Sequence, residues 1–160
     1  MSSTPDLLIL ANLIAARRAS HPTLDVLTFV DIGPKGEYLD EVRTYDDLWA
    51  NGQRVAATLD DEGMAEGDAF AIVAQNHPEF VDTMVGSSIA GTVFVPIDPR
   101  TKGKKLAYML DFAGCRGVVI GDYAAANLLD ILDDCPKLEW VWVISTQGAT
   151  LPASFGKLRV

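Results

Sequence analysis

Apolar positions recur along this chain at two different periods, and the switch between them divides it. Leu7 to Ala16 (LLILANLIAA) sits in a stretch with helical spacing from about Pro5 to Ala19, which His21-Pro22 breaks. Thr4 is placed to cap that helix, Pro5 to occupy its first turn, and Arg17-Arg18 to face the negative end of its dipole. Val26 to Ile32 (VLTFVDI) is rich in β-branched residues and predicts a strand. Gly33-Pro34-Lys35-Gly36 predicts a turn, and Glu37 to Arg43 returns as the second strand of a hairpin. Thr44 with Asp47 three residues on is an acidic variant of the capping box. It opens a helix from Tyr45 to Leu59 with Leu48, Gly52, Val55, Ala56 and Leu59 on one side. Asp60-Asp61-Glu62-Gly63 ends that helix in a solvated turn.

Beyond this point the apolar runs become short and continuous. Ala69–Ala74, Thr92–Ile97, Gly117–Ile120 and Trp140–Ile144 predict buried strands. Pro78–Ala90, Lys102–Ala113 and Tyr123–Asp133 predict the helices between them. Four such strands alternating with three helices predict an α/β fold: a parallel, doubly wound sheet flanked by helices, preceded by the N-terminal helix and β-hairpin. The chain then divides into a lead-in (1–44), an α/β subdomain (45–145) and a segment (146–160) that reads as a linker or a truncated continuation. That last segment holds Gly148, Pro152 and Gly156 and shows no clear pattern.

Composition narrows the picture. The 160 residues are 49% hydrophobic and 22% charged, which is globular and excludes a disordered chain. A net charge of −9 repels phosphate backbones and disfavours nucleic acid. The basic residues cluster only at Arg100, Lys102, Lys104 and Lys105, enough to hold a small anion. Cys115 and Cys135 match no metal spacing and read as small apolar side chains in a reducing compartment. No apolar run reaches the roughly 18 residues that cross a bilayer. Asp6 before the first run and Arg17-Arg18 after it reverse the charge order of a secretory signal, so the expected location is cytoplasmic.

Doubly wound sheets bind ligands at the carboxyl ends of their strands. Here those ends carry Gln75-Asn76-His77, Asp98-Pro99-Arg100, Gly121-Asp122 and Ser145-Thr146, and neither a G-x-x-x-x-G-K-[ST] loop nor a G-x-G-x-x-G turn occurs. Gly86-Ser87-Ser88-Ile89-Ala90 misses the nucleophile elbow by its last residue and lies inside a predicted helix, so small residues permitting close helix packing are the better reading. His77 and His21 have no second ligand nearby, and His77 reads as a loop residue before a helix. Trp140 and Trp142 alternate with valines as strand residues. Arg100 stands at a proline-flanked strand end with lysines behind it, where a guanidinium can clamp a phosphate or carboxylate. Taken alone, the residues favour a solvated loop charge there.

Four segments in register resemble one family. Arg43-Thr44-Tyr45-Asp46-Asp47-Leu48 is similar to a "TY-x-E-L" helix start. Gly67-Asp68-Ala69-Phe70-Ala71-Ile72 followed by Asn76-His77-Pro78-Glu79-Phe80 is similar to "GD-x-V-A-I…N-x-P-E-F". Ala90-Gly91 through Val95-Pro96-Ile97-Asp98-Pro99 is similar to "AG-x-x-x-V-P-(I/L)-(N/D)-P". Leu106 to Asp122 is similar to the "L…L-x-D…V-V-I-x-D" that follows. Over about Leu7 to Ser145 the chain therefore resembles the N-terminal part of an AMP-forming acyl-CoA synthetase, of the adenylate-forming ligase superfamily. The Pro99-Arg100 pair is most like the acyl- and aryl-CoA ligases, including crotonobetaine- and chlorobenzoate-type enzymes. In some of them the matching arginine contacts the phosphates of coenzyme A, and the resemblance assigns that role to Arg100 and no catalytic or metal-binding role to any residue.

The resemblance implies a two-step reaction: a carboxylate and ATP give an acyl-adenylate and pyrophosphate with Mg²⁺ offsetting charge, and the thiol of coenzyme A then displaces AMP. ATP, Mg²⁺ and coenzyme A are thus expected of the parent enzyme and none of this chain alone. The family's Ser/Thr/Gly-rich ATP loop, aromatic adenine shelf, ribose aspartate and catalytic lysine have no counterpart in these residues. The chain is accordingly expected to be a fragment, a truncated piece or a degraded paralogue, inactive alone and partnered by the remainder of a ligase chain. A non-catalytic accessory or binding module derived from the family is the rival reading. A free-standing small α/β enzyme is disfavoured because no nucleophile or metal set converges. Which acid is activated is not encoded here, and oligomeric state stays open, a homo-oligomer included.

Overall fold

The computed structural model describes residues 6–146 and 151–160. In chain order the elements are α1 (Leu10–Ser20), β1 (Asp25–Ile32), β2 (Tyr38–Thr44), α2 (Tyr45–Asp61), β3 (Ala69–Val73), α3 (Pro78–Ala90), β4 (Val93–Pro96), α4 (Gly103–Phe112), β5 (Cys115–Gly121), α5 (Ala125–Leu129) and β6 (Trp140–Ile144). They form two compact units. One comprises the chain up to Gly63 with Asn76–Gly91, the other Met64–Gln75 with Thr92–Val160.

The first unit holds α1, the β1–β2 hairpin, α2 and α3. Thr44 caps α2 as its sequence predicts: its hydroxyl accepts the Asp47 N–H at 3.2 Å, and the Asp47 carboxylate accepts the Thr44 N–H at 2.9 Å. Helices α2 and α3 meet through two glycines. A Cβ on Gly52 would fall 2.6 Å from Val85, and one on Gly86 would overlap Val55. This is the close helix packing expected of the Gly86-Ser87-Ser88 run. Ser87 is buried, and the Ser88 hydroxyl accepts the Ala11 N–H of α1 at 3.0 Å. Leu48, Val85 and Ile14 form the apolar centre of this unit.

Helix α1 starts later than its apolar pattern predicts. Thr4 and Pro5 lie outside the described residues. The Asp6 carboxylate accepts the Leu8 N–H at 2.9 Å and holds a turn, so the helix opens at Leu10 with Ile9 as a cap that offers no side-chain hydrogen bond. In the hairpin, Thr28 pairs with Val42, Val30 with Asp40 and Ile32 with Tyr38 in antiparallel register. Val30, Ile32, Tyr38 and Val42 on that face are all exposed.

A buried ionic cluster ties the end of this hairpin to the helix pair. Asp82 of α3 is 5% exposed; it lies 3.6 Å from Arg43 of β2 and accepts from the Asn51 side-chain amide of α2 at 3.0 Å. Burial pushes the Asp82 carboxyl up from its ordinary value, against the pull of Arg43 and Asn51. Asp82 Oδ1 and Arg43 Nε are both buried without a hydrogen-bond partner.

The second unit is an α/β layer. Its four strands are all parallel, in the order β4-β3-β5-β6, so the winding reverses between β3 and β5. Ala71, Val73, Val118, Ile120 and Val141 point to one side, where Leu106 and Leu110 of α4 and Ala125 and Leu128 of α5 cover them. The alternate residues Phe70, Ile72, Val119 and Trp140 are buried as well, which is why these strands read as continuous apolar runs. The α/β class and the parallel, helix-flanked sheet are as predicted.

Two details differ from the sequence reading. The helix expected over Tyr123–Asp133 is broken into a 3₁₀ turn (Asp122–Ala124), the short α5 and a second 3₁₀ turn (Leu132–Asp134). Bonds of the i→i−3 type, such as Asp134 N–H to the Ile131 carbonyl, replace the α pattern and let Leu128, Ile131, Cys135 and Leu138 all reach the core. Residues 151–160, within the stretch that shows no clear sequence pattern, are docked. Phe155 and Leu158 are buried in the same core, and Arg159 pairs in parallel with Trp140, adding a bridge to the outer edge of β6.

Candidate functional site

The loops that follow β3, β4, β5 and β6 within the α/β unit supply the candidate site. After β4 the chain turns: the Thr101 N–H donates to the Asp98 carbonyl at 2.8 Å, with Pro99 at the second position of the turn. The Asp98 carboxylate accepts the Arg100 backbone N–H at 2.8 Å. It also takes both arms of the guanidinium, Nε at 3.0 Å and Nη2 at 2.6 Å. The Arg100 side chain is 88% exposed and that of Asp98 47%. The Arg100 side chain and its N–H hold the Asp98 carboxyl down to about 2, with a further charge contribution from Lys105. Lys102 is the N-cap of α4, and Lys102, Lys104 and Lys105 are all exposed. The basic cluster therefore stands together at one strand end, and its arginine is engaged by an acid two residues away.

The neighbouring strand ends are closed by polar contacts over long sequence separations. The ring of Tyr123 lies over Gly121, where a Cβ would overlap it, and the Tyr123 hydroxyl accepts the Gln75 N–H at 2.6 Å. This contact spans the point between β3 and β5 where the winding reverses. Asp122, 4% exposed, accepts both the N–H and the hydroxyl of Thr146 at 2.6 Å and so fastens the end of β5 to the end of β6. Sequence reasoning placed Gln75, Asp122 and Thr146 at strand ends but did not find Tyr123. The signal was Gly121 directly before an acid and an aromatic.

At the opposite ends of the strands Arg116 bridges Asp68 and Glu139, with Nη2 to Glu139 Oε2 at 2.9 Å. It staples the starts of β3, β5 and β6.

The remaining sequence candidates fall elsewhere. Asn76 and His77 belong to the helical unit, where His77 is the N-cap residue of α3 without a side-chain capping bond. Trp140 is fully buried, 5.7 Å from the Phe70 ring and 4.6 Å from Trp142 between centroids, which makes it a core residue. Cys115 and Cys135 are free and buried, and desolvation raises the Cys115 thiol to about 11, leaving it unreactive. Among the described residues no three His, Cys, Asp or Glu side chains converge as a metal site, and no helix is long and apolar enough to cross a membrane. The helical unit carries a shallow groove of about 370 Å³ lined by Ala15, Arg18, Ala19, Pro22, Asp46 and Trp49. Its cation is already neutralised, Arg18 Nε lying 2.6 Å from Asp46.

An open parallel sheet that reverses its winding, with its polar loops gathered at the carboxyl strand ends, defines a ligand-binding type of α/β domain. The chain belongs to the AMP-binding enzyme family, whose model matches residues 16–157. It is 30% identical over 96 residues to "4-hydroxybutyrate--CoA ligase 2" of Metallosphaera sedula, a match covering 60% of this chain and 18% of that protein. It is 28% identical over 105 residues to a Mycobacterium marinum "Medium/long-chain-fatty-acid--CoA/3-oxocholest-4-en-26-oate--CoA ligase", covering 66% and 19%. Its fold superposes on the Mycobacterium tuberculosis fatty acyl CoA synthetase with a TM-score of 0.75 at 24% identity, covering 88% of this chain and 27% of that one. The chain thus spans about a fifth of the length of these two curated relatives. The family resemblance read from the four motifs is borne out.

Proposed function

We propose that this chain is the N-terminal segment of an ATP-dependent, AMP-forming acyl-CoA ligase of the cytoplasm, and that it contributes Arg100 to the binding of coenzyme A. The observation that carries this reading is the guanidinium at the carboxyl end of β4, 88% exposed, with three exposed lysines in the adjoining turn and helix. The family membership and the acyl-CoA ligases among the relatives supply the reaction. In it a carboxylate, ATP and coenzyme A give acyl-CoA, AMP and pyrophosphate. This chain's own residues contain no phosphate-cradling loop and, among those described, no cluster of metal ligands, so ATP and Mg²⁺ are held by other parts of the parent. The segment itself supplies the sheet and one wall of the coenzyme A path, and its partner is the remainder of the ligase.

The test is Arg100→Ala in a ligase that carries this segment. The apparent KM for coenzyme A should rise about tenfold to a hundredfold, the loss of a charged hydrogen-bonding contact of roughly 1.5–3 kcal/mol. Adenylation, followed as ATP–pyrophosphate exchange, should be nearly unchanged, because the contact lies on the thiol substrate. Equal damage to both half-reactions would make Arg100 a structural residue, and damage to neither would return it to a solvated loop charge.

A further inference from the structure

The guanidinium that the proposed function assigns to an anion already holds one. Asp98 and Arg100 are two residues apart on one turn, and every hydrogen bond that defines the turn's side chains ends on the same carboxylate: the Arg100 N–H at 2.8 Å, Nε at 3.0 Å and Nη2 at 2.6 Å. This is the planar two-point geometry in which arginine grips a carboxylate or a phosphate, and one fork holds one such group at a time. The aspartate does not depend on the guanidinium for its place. It follows the strand, precedes Pro99, and is anchored by the backbone N–H of Arg100. The arginine side chain, by contrast, is 88% exposed and has no other described partner to hold it.

We infer that Asp98 is a built-in competitor for the anion site of Arg100: it occupies the guanidinium fork when coenzyme A is absent, must be displaced for the phosphate to bind, and so sets the affinity of the site through Arg100. Asp98 is in this sense a positioning residue, acting on the ligand only through its neighbour. The inference rests on the coenzyme A reading of Arg100 given above. The carboxylate is ionised throughout the physiological range, so the competition is constant with pH. Both partners are solvated, so its strength falls with added salt.

Asp98→Asn separates the two roles of this side chain. Asparagine keeps an oxygen that accepts the Arg100 N–H and preserves the turn, but removes the charge that competes. Coenzyme A is titrated into a ligase that carries this segment, native and as Asp98→Asn, Arg100→Ala and the double variant, at low ionic strength, with dissociation constants read by NMR. Asp98→Asn should tighten binding about two- to fivefold, the range of an exposed ion pair. In the Arg100→Ala background the same substitution should change nothing. Separately, the ¹³C shift of the Asp98 carboxyl should stay constant from pH 7 to pH 4 in the native chain. In Arg100→Ala its titration should move upward, because the guanidinium's share of the depression is lost while the backbone N–H at position 100 still lowers it.

An Asp98 carboxyl that titrates near 4 in the native chain means there is no grip and overturns the inference. So does Asp98→Asn binding that is weaker than or equal to native, which would make the aspartate an aid to the site, and so does an equal gain with and without Arg100, which would be a general charge effect. If Arg100→Ala binds coenzyme A as the native chain does, the coenzyme A reading has failed and the inference falls with it. The carboxyl shift then still reports whether the ion pair exists, so the two failures are told apart.

Discussion

Gly117 has no side chain because the indole of Trp140 takes the space: a Cβ at this point of β5 would overlap the ring. The two residues pair across the parallel ladder, and Trp140 is fully buried, so the ring has nowhere to go. Gly117→Ala should therefore act as an overpacking substitution, costing about 1–3 kcal/mol in urea unfolding. A stability within error of native would mean the indole is free to move. Trp140 could be read from the sequence as a strand residue, but its demand for a glycine on the neighbouring strand could not, because nothing local links positions 117 and 140. The same holds for Asp122 with Thr146 and Tyr123 with Gln75, separated by 24 and 48 residues. Asp82 did leave a local trace, an acid in the middle of α3 between Phe80-Val81 and Met84-Val85, and it is buried against Arg43.

Elements with their signals close together were legible to the residue. The ends of α3 and β6 fall at Pro78–Ala90 and Trp140–Ile144, as the sequence predicts. The α2 cap is legible for the same reason, since Thr44 and Asp47 are three residues apart. Thr44→Ala should cost about 1 kcal/mol of stability. Its partner makes a pH prediction. The Thr44 N–H, then the Thr44 hydroxyl, hold the Asp47 carboxyl below its ordinary value. A depressed folded pKa means stability that is present above the unfolded value near 3.9 and is lost as pH falls through the folded one. Asp47→Asn should thus be less stable than native at pH 7, with the gap closing below about pH 4. A gap that is constant from pH 7 to pH 3 would show that the charge contributes nothing. The elements that sequence misplaced, α1 and the broken helix at α5, are those whose ends are set by contacts other than their own pattern: the Asp6 turn in one case, the demand of the core for Ile131 and Cys135 in the other.

For the molecule as a whole, family and fold class were legible because four motifs kept their order and spacing across most of the chain, and the matching model spans residues 16–157. The end of β4 and the exposed Arg100 on it were legible from the residues, whereas the coenzyme A role proposed for Arg100 came only from the resemblance. The chain as it stands should show no ATP–pyrophosphate exchange with short, long or aromatic acids, since its sequence has no phosphate loop. Exchange above background would overturn the proposal that other parts of a ligase carry that step, and activity regained in a longer form would support it.

The bridge between Arg159 and Trp140 gives the sheet a particular order of assembly during synthesis. Strand β6 leaves the ribosome before the residues that cover its rim, at about 5–20 residues per second, so for a time on the order of a second that rim has nothing beside it. Its backbone groups and the places later filled by Phe155 and Leu158 are open through that interval, a natural landing point for a holdase chaperone. Nascent chains stalled so that β6 has emerged while residues 155–160 are still inside the ribosome should retain that chaperone, and chains long enough for residue 160 to have emerged should release it.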